Sequence, residues 1–73
     1  MEKEIITMTV LRGESLSHEN FPGKDHLLVL KGHMVIISNG RIILHIHQAE
    51  TGDFKERKEY TATAVEDSEV MIF

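Results

Sequence analysis

Histidine is the residue type whose number and placement in this sequence most suggest chemistry. All five histidines lie between positions 18 and 47, and His45 and His47 are two apart in a run typical of a β-strand. Side chains two apart on a strand project from the same face. Such a pair can supply two imidazole ligands to one metal ion. We therefore hypothesise that His18, His45 and His47 converge on a weak divalent-metal site, inside or at the mouth of the barrel predicted below.

A polar row that meets solvent is the alternative interpretation of the same pair, and it is the one we favour. In this case Ile42, Leu44 and Ile46 face the core and the two imidazoles face water. Two further histidines, His26 and His33, flank another apolar run. We expect these two at strand ends or in a subunit contact.

Nucleophilic catalysis finds little support in the sequence, which contains no cysteine and no Gly-x-Ser-x-Gly motif. Ser17 and His18 are adjacent, and neighbours on a strand point to opposite faces, so they do not form a Ser–His dyad. Glu66, Asp67 and Glu69 lack the alternating spacing and central glycine of a calcium loop. These residues predict turns and strand ends.

Short strands separated by glycine turns must position these side chains. All five glycines fall at breaks, and Pro22-Gly23 and Asn39-Gly40 are turn dipeptides. No stretch predicts a helix with an apolar stripe, and residues 55–59 predict an exposed, mixed-charge loop. The chain therefore predicts one all-β domain over residues 1–73. Apolar or β-branched runs between the breaks cover residues 5–11, 27–30, 34–37, 41–47, 60–65 and 70–73.

The length of the chain limits how far its core alone can stabilise it. A domain of 73 residues buries only about 60% of the surface that its unfolded chain exposes. Without cysteine, neither a disulfide nor a zinc–thiolate site can add support. Residues 27–30 and 34–37 are apolar on both faces, as expected where a second sheet or a partner chain covers the outer face. We therefore expect a homodimer.

The charge distribution argues against two classes of partner. The formal net charge is −4, and the excess acid lies wholly in residues 50–73. No basic stripe is present to bind nucleic acid, and no apolar run approaches the ~20 residues of a membrane span. The N-terminal Met-Glu-Lys-Glu lacks the layout of a signal peptide. We expect a cytoplasmic protein that binds neither nucleic acid nor membrane.

Several glycine-centred motifs follow one another in a recognisable order. They are Gly13-Glu-Ser-Leu-Ser-His18, Pro22-Gly23, Asp25-His-Leu-Leu-Val-Leu-Lys-Gly32, Gly52-Asp53-Phe54 and Thr63-Ala-Val-Glu-Asp-Ser68. From about Val10 to the C-terminus this order resembles a small single-domain cupin. The resemblance implies a cupin-like jelly-roll barrel, also described as a double-stranded β-helix.

The resemblance carries over the fold better than the metal site. In cupins the metal is held by two histidines and a glutamate of a first motif and by a histidine of a second. His18 matches one of these ligands, whereas Asn20, Asp25 and Tyr60 stand where the other three are expected. An amide oxygen and a neutral phenol are weak ligands for first-row metals. We expect no cofactor beyond a weakly bound divalent metal. The candidate metal ligands are His18, Asp25, His45 and His47.

A second set of segments carries another resemblance. Leu30-Lys-Gly32, Asn39-Gly40-Arg41, Gly52-Asp53-Phe54 and Thr61-Ala-Thr-Ala-Val65 look like the cyclic-nucleotide-binding domain of catabolite-activator-type regulators. That domain needs a Gly-Glu helix start and an arginine for the cyclic phosphate. Here the chain instead continues Lys55-Glu-Arg-Lys-Glu59, which disfavours this resemblance.

Three functions follow from these observations. The first is a small cupin-like binding or structural module for an unknown small molecule, without the family's full metal site. The second is a metal-dependent enzyme of dioxygenase or isomerase type with unusual ligands, and the third is a cyclic-nucleotide-type sensor. We expect any ligand at the barrel mouth. The alternative is that the apolar residues of the pocket named next simply fill a narrow core. The expected pocket residues are His18, Asp25, Leu27, Val29, Ile43, Phe54 and Tyr60.

Overall fold

Two antiparallel sheets make up the protein. The computed structural model describes residues 4–53 and 60–73, together with the backbone but not the side chain of His18. The described part holds eight strands and one turn of 3-10 helix, His18–Asn20. Phe54 and the loop expected over residues 55–59 lie outside the described residues. The strands are β1 (Ile6–Val10), β2 (Ser15–Ser17), β3 (His26–Lys31), β4 (His33–Ser38), β5 (Arg41–His47), β6 (Thr51–Asp53), β7 (Thr61–Ala64) and β8 (Ser68–Ile72).

The strand order is β1-β8-β3-β6 in the first sheet and β2-β7-β4-β5 in the second. Every pairing between neighbours is antiparallel. The all-β prediction is confirmed. The sequence pattern does not predict β2 and β6, because three residues are too few to show an alternation. No helix among the described residues has the length and apolar character of a membrane span.

The predicted turns have the backbone angles that their residues favour. Asn39 and Gly40 have φ values of 52° and 76°, as a type I′ turn requires, and they join β4 to β5. Gly23 has a φ of 80° after Pro22. Phe21 O there accepts a hydrogen bond from Lys24 N at 3.0 Å, as in a type II turn.

The core lies between the two sheets and follows the alternation of the strands. In β1, one face holds Val10, which is buried, and Ile6 and Met8, which pack against the core. The exposed Thr7 and Thr9 alternate with them. The largest fully buried apolar side chains are Val10, Leu27, Val29, Met34, Ile36, Ile46, Val70 and Ile72.

A β-bulge near the start of β5 changes the direction of its first side chains. Ile36 pairs with Leu44 and Ile37 pairs with Ile42, so Ile43 is an extra residue without a partner in this register. The bulge interrupts the alternation, and Ile42 therefore shares the outer face with Ile37 and is 55% exposed. The expectation that Ile42 faces the core is wrong for this reason.

Candidate ligand cavity and histidine cluster

A cavity of about 410 Å³ opens between the two sheets, beside β5 and β6. This volume is within the range of small-molecule sites. The cavity brings together two of the expected pocket residues, Ile43 and Tyr60. Its lining comprises Ile36, Ile43, Leu44, Thr51, Gly52, Asp53 and Tyr60.

Gly52 allows β6 to approach β5 closely at the base of this cavity. The residue is buried and pairs with Leu27. A Cβ atom at this position would overlap Ile46 Cδ1 and would lie 3.0 Å from Leu44 Cδ2. Only glycine therefore lets these side chains occupy the space between the sheets without a shift.

The side chains that flank Gly52 point away from the cavity. Asp53 pairs with His26 across β6 and β3, and Asp53 Oδ1 lies 2.7 Å from His26 Nδ1. Because the neighbouring Leu27 is fully buried, the alternation places the contact between His26 and Asp53 on the outer face. Thr51 lies on the same side of β6 as Asp53, so both residues present backbone to the cavity. Among the described lining residues, the half-buried Tyr60 is a polar side chain that can meet the cavity.

The other expected pocket residues lie elsewhere or are not described. Leu27 and Val29 are fully buried in the core and are not part of the cavity lining. Asp25 is half-buried just before β3, where its N–H donates a hydrogen bond to Phe73 O at 2.9 Å. Phe54 and the side chain of His18 lie outside the described residues.

Three imidazoles meet on the outer face of the second sheet. His33 opens β4 and pairs with His47 of β5, and His45 lies two residues before His47. Met34 and Ile46, which alternate with these histidines, are fully buried. The three imidazoles therefore project from the opposite, outer face. This confirms that His45 and His47 share a face while Ile46 faces the core.

The ring nitrogens of this histidine cluster, formed by His33, His45 and His47, lie close together. His33 Nε2 is 3.0 Å from His45 Nδ1, and the tautomers decide which of the two donates. The rings of His33 and His47 stack with their centroids 4.2 Å apart. One ring nitrogen from each histidine lies within 4.8 Å of the other two. This is the one such convergence of three histidine or carboxylate side chains found among the described residues.

Backbone hydrogen bonds fix the strands that carry the histidine cluster. His33 N donates to Ser68 Oγ at 3.0 Å, and Val65 N donates to His33 O at 2.9 Å. His47 N donates to Glu50 Oε1 at 2.8 Å. On the same outer face, Val35 is only 3% exposed, so an apolar side chain lies at the base of the cluster.

Comparison with solved structures identifies the architecture. A cupin-2 domain-containing protein from Shewanella frigidimarina matches with a TM-score of 0.70 at 17% identity, over 93% of this chain and 65% of that chain. The fold is that of a small cupin. The fold predicted from the order of the sequence motifs is thus confirmed. No protein-family model and no curated protein matches the sequence.

Two further solved structures share the cupin-like fold. The N-terminal domain of a transcriptional regulator from Streptomyces coelicolor has a TM-score of 0.69 at 20% identity, over 94% of this chain and 56% of that chain. The heme domain of CooA from Rhodospirillum rubrum has a TM-score of 0.65 at 13% identity, over 92% of this chain and 52% of that chain. The chain therefore spans from about half to about two-thirds of the length of the three chains.

The positions that correspond to the cupin metal ligands do not fit a metal in the described part of the chain. Asn20 Oδ1 accepts a hydrogen bond from Ser17 N at 3.2 Å, so this amide caps its own turn. Tyr60 offers only a phenol, and Asp25 belongs to no convergent group of three donors among the described residues. An amide oxygen that already accepts a hydrogen bond, together with a phenol, does not make a binding site for a first-row transition metal. The expected metal site formed by His18, Asp25, His45 and His47 stays a prediction. In the structure, the third histidine close to His45 and His47 is His33.

Proposed function

We propose that this cupin domain is a binding module for a small molecule, which occupies the cavity between the sheets beside β5 and β6. The observation that carries the proposal is the cavity itself, with a volume of about 410 Å³ and a wall that combines aliphatic side chains of β4 and β5 with polar groups, Tyr60 among them. The similar fold described as a heme domain supports the proposal, since a fold of this shape holds a small group in that protein.

The wall of the cavity favours a ligand that has both apolar surface and hydrogen-bonding groups. Ile36, Ile43 and Leu44 supply the apolar surface. The hydroxyl of Tyr60 can both donate and accept a hydrogen bond. Asp53 is the charged residue of the described lining, and its carboxylate already meets His26. The ligand class proposed is therefore an uncharged molecule that combines apolar surface with carbonyl or hydroxyl groups.

A fragment screen with the ¹⁵N-labelled chain tests this proposal. Uncharged fragments that carry a carbonyl or hydroxyl group should shift the amide signals of Ile43, Leu44, Gly52 and Tyr60 together. Removing the phenolic oxygen with Tyr60→Phe should weaken the best fragment about tenfold, the equivalent of one hydrogen bond. A screen in which no fragment shifts these amides would overturn the proposed site.

A matched control uses the shallow depression on another part of the surface, lined by Thr9, Lys31 and residues 67–69. Thr9→Val removes one hydroxyl there, as Tyr60→Phe does in the cavity, and should leave fragment affinity unchanged. Equal losses in both variants would contradict the assignment of Tyr60. A titration with cyclic AMP in the same assay tests the remaining sensor alternative. The metal-dependent enzyme stays a prediction: of its expected residues, His45 and His47 lie in the histidine cluster on the outer face, apart from the cavity.

A further inference from the structure

We propose that the histidine cluster of His33, His45 and His47 binds one divalent transition-metal ion on the outer face of β4 and β5. This site is separate from the cavity, which opens between the sheets. It is also separate from the cupin ligand positions, of which Asn20 and Tyr60 do not belong to the cluster. Zinc is the ion chosen to test it.

The three ring nitrogens are spaced almost as ligand nitrogens are around a bound ion. Two imidazole nitrogens at 2.0–2.1 Å from one tetrahedral zinc ion are about 3.3 Å apart. His33 Nε2 and His45 Nδ1 are already 3.0 Å apart, and all three rings have a nitrogen within 4.8 Å of the others. Side-chain rotation therefore has to close no more than about 1.5 Å.

Neutral imidazoles supply the lone pairs, and water exchanges their ring hydrogens. In the hydrogen bond between His33 and His45 one ring nitrogen carries the hydrogen and the other accepts it. When an ion binds, the donor ring gives that hydrogen to water and takes one from water at its second nitrogen, and the nitrogen that faces the ion becomes a ligand. Each ring keeps one hydrogen, so the ion meets three uncharged ligands.

The chemistry of the donors selects the class of ion. Three imidazoles suit zinc, nickel or copper(II), whereas calcium and magnesium prefer oxygen ligands. Glu50, the carboxylate next along the chain, already accepts the N–H of His47. His45 and His47 are exposed, so the ion can enter from solvent and take water as its fourth ligand.

An ion at this site would join β5, an edge strand of its sheet, to its neighbour β4. His33 and His47 lie at the open end of the hairpin whose turn is Asn39-Gly40. An ion that binds the folded state and not the unfolded chain raises the free energy of unfolding. At ion concentrations above Kd, this increase grows with the logarithm of the ratio of the concentration to Kd. Zinc should therefore raise the thermal unfolding midpoint of the wild type.

Calorimetric titration of the protein, purified without a histidine tag, tests the site. Wild-type protein should bind one zinc ion per chain, and His45→Ala should weaken binding at least about 100-fold, because loss of a direct ligand exceeds the usual loss from an outer-shell partner. His26→Ala is the matched control, since His26 lies on the other sheet and pairs with Asp53. It should bind zinc like the wild type. Absence of zinc binding, or equal affinity in His45→Ala and wild type, would overturn the proposal.

A spectroscopic measurement on the wild type keeps the proposal testable if His45→Ala does not fold. The imidazole ¹⁵N signals of His33, His45 and His47 should shift together as zinc is added, while that of His26 stays in place. Magnesium should shift none of them. Zinc-dependent shifts confined to His18 or His26 would contradict the proposed cluster.

Discussion

Gly32 and Ser68 approach each other so closely that position 32 has no room for a side chain. A Cβ atom on Gly32 would overlap Ser68 Oγ and would lie 2.8 Å from both Ser68 Cα and Asp67 O. The φ of Gly32 is 102°, which side-chain-bearing residues rarely adopt. This contact holds the connection between β3 and β4 against the start of β8.

The first prediction concerns this contact. Gly32→Ala should lower the free energy of unfolding by several kcal/mol, because the strain of a positive φ adds to overlap with backbone atoms that cannot move away. Gly13→Ala is the control, since Gly13 also has a positive φ of 85° but nothing lies within 4 Å of its Cβ position. It should cost only about 1–2 kcal/mol. If urea denaturation gave the same loss of unfolding free energy for Gly32→Ala and Gly13→Ala, the contact between Gly32 and Ser68 would not be tight.

Ser68 provides the second prediction. Its side chain is 2% exposed, and Oγ accepts from His33 N and donates to Glu66 O at 2.8 Å. Ser68→Ala leaves the His33 N–H without this acceptor and should cost about 1–3 kcal/mol. Ser15→Ala removes the exposed hydrogen bond to Thr63 and should cost less than about 0.5 kcal/mol. Thermal denaturation of both variants measures the difference, and similar midpoints would contradict it.

The third prediction tests the close packing at the base of the cavity. Gly52→Ala places a methyl group against Ile46 Cδ1 and should cost about 1–3 kcal/mol. Ile46→Val removes that carbon atom and should cost about 0.5–1.5 kcal/mol by itself. The double variant should lose less than the sum, since each change relieves the other. Strict additivity in the four denaturation curves would mean that the two residues do not compete for space.

The bulge at Ile43 leads to the fourth prediction. Ile42→Thr should change the free energy of unfolding by no more than about 0.5 kcal/mol, because its side chain is 55% exposed. Ile46→Thr in the same strand should cost about 2–4 kcal/mol, because it replaces a fully buried ethyl group with a hydroxyl. A large loss from Ile42→Thr in the monomeric protein at high dilution would place this residue inward and refute the bulge.

The expected homodimer stays a prediction. Ile42, Ile43 and Leu44 are between 41% and 55% exposed on β5, and exposed apolar side chains on an edge strand favour association. Light scattering at micromolar concentration should give twice the mass of the chain, and Ile42→Lys should reduce it to one chain. A monomer mass for the wild type would rule out the dimer at that concentration.

Local sequence determined most of the strands and their turns. Arg41–His47 is a strand with the predicted bounds, because β-branched residues follow an Asn-Gly pair that favours the type I′ turn. The two faces of β1 also follow from the alternation of apolar residues with threonine. The order of the glycine motifs carried the cupin resemblance. Four of the glycines have a positive φ between strands, whereas the expectation that Gly52 marks a break is wrong, because it lies inside β6. These features depend on neighbours in sequence, which is why they are readable from it.

Tertiary structure alone decided which histidines meet. Asn39-Gly40 pairs Ser38 with Arg41, and a regular hairpin continued from this pair would place His33 opposite Ile46. The extra residue at Ile43 shifts the register by one, so His33 instead faces His47. The bulge depends on how β5 packs over the core and beside β6, and no local pattern predicts it. The sequence therefore determined the strands, and their packing determined the histidine cluster.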